Sequence, residues 1–81
     1  MLKVGQVWQD THNPECNVVI TRAYKYSKAK LYDYIYPDGT TVSEDDEYFI
    51  KVRRKLVAEY PTWVEAVNSK EFRDENCIRN M

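Results

Sequence analysis

The chain predicts a small, mainly β domain with one short C-terminal helix. Three observations carry that reading. Segments rich in β-branched and aromatic residues recur along most of the chain with turn chemistry between them. Leu31-Tyr-Asp-Tyr-Ile-Tyr36 alternates with period two, so Tyr32, Tyr34 and Tyr36 share one face and Leu31, Asp33 and Ile35 share the other. Thr62-Trp-Val-Glu65, directly after Pro61, has the capping-box pattern that opens a helix.

Met1 to Trp8 reads as the first strand, with Val4 and Trp8 on one face and Gly5 as a bend. Asp10 to Glu15 is turn chemistry throughout. Cys16 to Tyr26 is the second strand, and Ser27-Lys28-Ala29 turns the chain into the tyrosine strand. No Asn-Gly fixes the register of that hairpin. With Ser27 and Lys28 alone in the loop, Arg22 lies opposite Asp33 and Tyr24 opposite Leu31. With Ala29 added, Arg22 lies opposite Tyr34 and Tyr24 opposite Tyr32. The ion pair of one register and the ring contacts of the other each contribute about 0.2–1 kcal/mol, so energy does not separate them. Ser-Lys is a poor two-residue turn, which favours the longer loop.

Pro37-Asp38-Gly39 stops the tyrosine strand: Pro presets φ for a turn, and Gly accepts the left-handed conformation that follows. Thr40-Thr41-Val42 pairs back as a short strand. Ser43 is the expected N-cap of a helical turn, with Glu44-Asp45-Asp46-Glu47 where a helix dipole favours acids. Residues 48–60 fit both periods. Phe49, Val52, Leu56 and Tyr60 fall at helical spacing; Tyr48, Ile50, Val52, Leu56, Ala58 and Tyr60 fall at strand spacing. The favoured reading is a helical turn over Ser43–Tyr48 and then a strand through Leu56–Tyr60. In the final helix, through about Ser69, Trp63, Ala66 and Val67 form one face, and Phe72 covers the core beyond it.

At 81 residues the chain makes one domain, over residues 1–72, with a polar tail over 73–81 that is expected to fray. A chain of this size buries only roughly 60–65% of its unfolded surface, and the 14% aromatic content offsets that thin core. The net charge of −1 gives no overall field that attracts nucleic acid. The charge is nevertheless divided into blocks, with the acids at 44–47 just ahead of Lys51-Val-Arg-Arg-Lys55. No stretch has the length or apolarity of a membrane span or a signal-peptide core, so a cytoplasmic protein is expected. In that reducing compartment Cys16 and Cys77 are expected to be free thiols.

Little in the sequence points to catalysis. There is one histidine, His12, in a turn-rich loop; there is no nucleophile elbow and no Gly-rich phosphate loop. The run of acids reads as helix capping and solvation, because acid–base chemistry needs environments that push two pKa values apart. His12 and Cys16 are spaced like half of a zinc site with Cys77 distant, whereas structural zinc takes four ligands. The expectation is therefore a non-enzymatic protein without metal or cofactor.

Binding is the stronger reading. Tyrosine and arginine are favoured at interface hot spots, and seven tyrosines exceed what a thin core easily hides. A protein partner is expected to meet Arg22, Tyr24, Tyr26, Tyr32, Tyr34 and Tyr36. If the stripe is core instead, Leu31 and Ile35 turn outward. The alternative is a single-stranded nucleic acid stacked on these rings, with phosphate contacts from Lys25, Lys28, Lys30, Lys51, Arg53, Arg54 and Lys55. Self-association through a strand edge is a further option.

Several short strands and a helix suggest a small closed or half-closed barrel, since closure removes exposed edges. The arrangement looks like an SH3-like barrel. Val4-Gly-Gln-Val-Trp8, Tyr36-Pro-Asp-Gly39 and the segment from Leu56 to Phe72 (LVAEYPTWVEAVNSKEF) resemble short, mostly uncharacterised accessory proteins of bacteriophages and prophages in Gram-positive hosts. The resemblance spans about half the chain and carries no catalytic motif. It implies a phage-type module that docks on and modulates a host or phage protein.

Overall fold

The computed structural model describes residues 2–12 and 16–72; the tail expected over residues 73–81, and Cys77 within it, lie outside the described residues. The strands are β1 (Gln6–Asp10), β2 (Asn17–Tyr26), β3 (Ala29–Ile35), β4 (Thr41–Asp46) and β5 (Arg54–Glu59). Helix α1 (Glu47–Val52) joins β4 to β5, and helix α2 (Trp63–Val67) follows β5. All pairings are antiparallel, in one sheet of order β4-β3-β2-β1-β5. The class is mainly β, as the sequence predicts. The expected closure is absent: β4 and β5 end the sheet at opposite edges and do not pair with each other.

Three register shifts curl the sheet. They fall between Val7 and Trp8, between Ile20 and Arg22, and between Tyr32 and Tyr34. Each bulge adds local right-handed twist. In β4 the extra residue sits beside Glu44, whose φ of 58° is left-handed. Its amide is not orphaned, because Asp33 Oδ1 accepts from Glu44 N at 3.1 Å.

The sheet carries a core on each face. Trp8, Val18, Ile20, Tyr32, Tyr34 and Tyr36 bury one face with Leu2 and with Ile50 of α1. Val7 and Val19 bury the other with Ala66 of α2 and Phe72, while Ile35, Ala58, Tyr60 and Val67 pack at its rim. Phe72 covers that core as expected.

Several local expectations need correction. The first strand begins at Gln6 and not at Met1, because Gly5 (φ 94°) bends the chain just before it. The β2–β3 loop is the short one, with Arg22 opposite Asp33 and Tyr24 opposite Leu31. Ser27 takes φ 60°, which supplies the positive φ that a two-residue hairpin turn needs without a glycine. Ser43 does not cap a helix, since β4 runs on through it. Asp46 is the cap, its Oδ1 accepting from Tyr48 N at 2.7 Å, so the helical turn lies at Glu47–Val52. Cys16 is disulfide-bonded and therefore not a free thiol.

The capping box is realised: Thr62 Oγ1 accepts from Glu65 N at 3.2 Å and opens α2. Trp63, expected on its buried face, stays 41% exposed, because a helix this short seats only Ala66 fully. Thr62→Ala is expected to cost about 1 kcal/mol in urea unfolding and Thr62→Ser a few tenths at most.

Candidate partner-binding surface

The tyrosine stripe is core. Tyr32, Tyr34 and Tyr36 are 2%, 4% and 6% exposed, so they do not form the recognition surface expected of them. The alternation places their rings on the face shared with Trp8, Val18 and Ile20, and α1 covers that face. Each hydroxyl finds a charged partner at the rim. Tyr32 donates to Glu47 Oε1 at 3.0 Å, Tyr34 donates to Asp45 Oδ2 at 2.7 Å, and Tyr36 accepts from Arg54 Nη2 at 2.8 Å. Arg54 also sits over the Tyr34 ring at 5.0 Å and donates from Nη1 to Ile50 O at 3.3 Å. The three tyrosines thus hold the end of β4, the start of α1 and the start of β5. The acids read as solvated capping residues are in part acceptors for buried phenols.

This arrangement sets the acidities. Burial, and donation to Asp45, push the Tyr34 hydroxyl above its usual pKa of 10.0, with Arg54 opposing. Burial and Glu47 raise Tyr32 in the same direction. Burial works against the Glu47 carboxylate, but the Tyr32 hydroxyl and Lys51 outweigh it and hold its pKa low.

The other expected partner-binding residues remain at the surface, on the opposite face. Arg22, Tyr24 and Tyr26 point to the side covered by α2 nearer β1, but among the described residues no helix lies over them. The Arg22 guanidinium stacks on the Tyr24 ring at 4.6 Å, and Tyr24 donates to Asp33 Oδ1 at 3.1 Å. Burial and Asp33 raise the Tyr24 pKa. Tyr26 is 74% exposed near the turn. Leu31 and Ile35 are half-buried on this same face.

The cations expected at nucleic acid are dispersed. Lys25 lies opposite Lys30 across the hairpin, with Lys28 in the turn. Lys51 pairs with Glu47 at 3.8 Å, and Arg54 is drawn into the tyrosine rim. Arg53 and Lys55 are exposed at the far end of α1 and on β5. Among the described residues, no three His, Cys, Asp or Glu side chains gather as a metal site.

A second exposed cluster is absent from the expectations. Tyr48, Phe49 and Val52 on α1 are 66%, 60% and 55% exposed, and Ile50 is the one buried residue of that helix. The rings of Tyr48 and Phe49 meet edge to face, 5.4 Å apart. A shallow depression lined by Glu47, Tyr48, Lys51 and Val52 lies beside them. The signal was present in the run Tyr-Phe-Ile-Lys-Val, because a helix of under two turns cannot bury that many apolar groups on one side.

Fold and surface together define a small antiparallel β protein whose tyrosine rim is structural and whose most exposed rings, among the described residues, are Tyr26 on β2 and Tyr48 and Phe49 on α1. No helix among the described residues is long and apolar enough to cross a membrane. No protein-family model, no curated protein and no solved structure matches the chain.

Proposed function

We propose that this chain is a non-enzymatic binding module of the phage-accessory kind, which docks on a host or phage protein through the outer face of its β2–β3 hairpin. The observation that carries the reading is the uncovered stack of Arg22 on Tyr24, with Tyr26 beyond it. Stacked arginine and tyrosine present a wide contact with few rotors left to freeze, which suits an interface hot spot. Asp33 holds the Tyr24 hydroxyl, so part of that ordering is in place before a partner arrives. The sheet order with α1 bridging its two edge strands, and the three bulges that curl it, support a relation to half-open SH3-like barrels.

Affinity capture from bacterial lysate tests the docking surface. Arg22→Ala/Tyr26→Ala is expected to lose the partner while keeping the wild-type unfolding midpoint; an unchanged capture profile overturns the assignment. The nucleic-acid reading is favoured by one observation, the like-charged pair Lys25 and Lys30 facing each other next to the hairpin turn. It requires binding to a single-stranded oligonucleotide that weakens steeply with added salt, and a flat response rejects it.

A cytoplasmic site of action belongs to the same proposal. The bonded Cys16 opposes it, because cytosolic thiols are kept reduced. Thiol counting on denatured protein made in a reducing cytoplasm decides the point. Both cysteines free, with the fold and capture intact, agrees with the cytoplasmic site; a fold lost without the disulfide places the protein in an oxidising compartment.

A further inference from the structure

Strand alternation sorts the charges of β2, β3 and β4 between the two faces of the sheet. On the outer face Arg22 lies opposite Asp33, Tyr24 lies opposite Leu31, and Leu31 in turn lies opposite Asp46. Glu44 stands beside Asp33, whose Oδ1 accepts from Glu44 N at 3.1 Å. Lys25 and Lys30 face each other on the opposite side of the hairpin, with Lys28 in the turn. Around Tyr24 the outer face therefore sets Asp33, Glu44 and Asp46 against Arg22 alone, although the formal net charge of the whole chain is only −1.

Arg22 does not neutralise these acids. Its guanidinium stacks on the Tyr24 ring at 4.6 Å, while Asp33, directly across from it, accepts from two neutral donors, the Tyr24 hydroxyl and Glu44 N. Among the described residues no lysine or arginine forms an ion pair with Asp33, Glu44 or Asp46. Burial, then Asp33 and then Glu44 raise the pKa of the Tyr24 hydroxyl, so the ring and the acids share one field. The carboxylates are spread over two strands, and no three acids among the described residues gather as a metal site. Such a face suits cations that arrive separately, carried at intervals along one chain, and it repels a polyanion. Half-buried Leu31 and exposed Tyr26 add apolar area on which the stems of long basic side chains can lie.

We propose that the outer face of the β2–β3 hairpin docks a basic segment of a partner protein, whose lysines or arginines reach Asp33, Glu44 and Asp46 while their stems lie on Tyr24, Tyr26 and Leu31. This partner chemistry rests on the hairpin being the docking face. Cations seated here displace no ion pair of the fold, so their attraction to the face favours association and sets its orientation.

A short fluorescent peptide of alternating lysine and valine, titrated into the full chain, tests the chemistry. It is expected to bind, more weakly as salt is added, and a peptide with glutamate in place of lysine is expected not to bind. Two variants place the contact. Glu44→Lys/Asp46→Asn keeps a capping side chain while removing the acids of β4, and is expected to weaken the lysine peptide about tenfold or more. Asp33→Asn keeps an acceptor for Tyr24 and Glu44 without the charge, and is expected to weaken it in the same direction. Lys25→Gln/Lys30→Gln, on the other face, is expected not to weaken it. Absence of binding, equal binding of the two peptides, or undiminished binding by both acid variants overturns the proposal. Lysate capture separates it from the docking face itself. A partner that Arg22→Ala/Tyr26→Ala loses but Glu44→Lys/Asp46→Asn keeps overturns the basic segment and leaves the docking face standing; a partner kept by Arg22→Ala/Tyr26→Ala overturns both.

Discussion

Gly5→Ala is expected to destabilise the protein by about 3–5 kcal/mol, the sum of a strained φ and a forced backbone shift. Gly5 stands where three elements meet: its N donates to Ile20 O at 2.9 Å, and its O accepts from Tyr60 N at 3.0 Å. Its φ is 94°, and a Cβ there would lie 2.3 Å from Tyr60 O, a backbone atom that cannot swing aside. To make room, the β1–β5 pairing must open next to the Gln6–Glu59 contact. A domain of this size has a stability on the order of 4–12 kcal/mol, so the variant retains only a fraction of it. Gly39 provides the control. Its φ of 91° is as unusual, but nothing lies within 4 Å of a Cβ there, so Gly39→Ala should cost about 1–2 kcal/mol. Urea midpoints for both variants check the contrast, and equal losses would show that φ strain, and not the close approach of Tyr60, governs the Gly5 site.

The sequence discloses period and punctuation well, and it discloses which face is wet poorly. The alternation over residues 31–36 and the Tyr36-Pro-Asp-Gly39 turn, closed by Gly39 N on Tyr36 O at 2.9 Å, follow from local chemistry alone. So does the Thr62 cap. Ser27 and Glu44 do not: each takes a positive φ that its residue type disfavours, because the strands on either side impose it. Missing Ser27 misplaces the hairpin register, and missing the bulge at Glu44 ends β4 too early and moves the cap from Asp46 to Ser43. The tyrosine stripe is the instructive failure of the site reading. Three phenols on one face suit a surface as well as a core, unless acceptors reach all their hydroxyls. Here those acceptors and donors are Asp45, Glu47 and Arg54, ten or more residues away in sequence. The same charged blocks that suggested electrostatic recognition make the stripe buriable.

That dependence makes Tyr34 the most consequential side chain of the rim. Tyr34→Ala removes a ring that is 4% exposed, touches Tyr36 edge to face at 5.9 Å and lies under Arg54. Deleting a buried aromatic of this kind costs about 3–5 kcal/mol. It also leaves Arg54, whose Nε is already buried without a partner among the described residues, with less to rest against. Tyr34→Phe is far milder at neutral pH, costing about 1 kcal/mol for the bond to Asp45. The two variants diverge at alkaline pH. An unfolded tyrosine ionises near 10.0, while the folded Tyr34 hydroxyl holds its proton to higher pH because it is buried and bonded to Asp45. The stabilisation is therefore complete below about pH 10 and falls as pH rises toward the folded value, since the unfolded chain then releases the proton first. Wild type should lose stability between about pH 9 and pH 11, and Tyr34→Phe should lose distinctly less over that interval. Tyr32, raised in the same direction, supplies the slope that remains. Urea midpoints at the two pH values decide it. An unchanged alkaline slope in Tyr34→Phe would mean that the Tyr34 hydroxyl ionises as freely folded as unfolded, and that the end of β4 is not held by it.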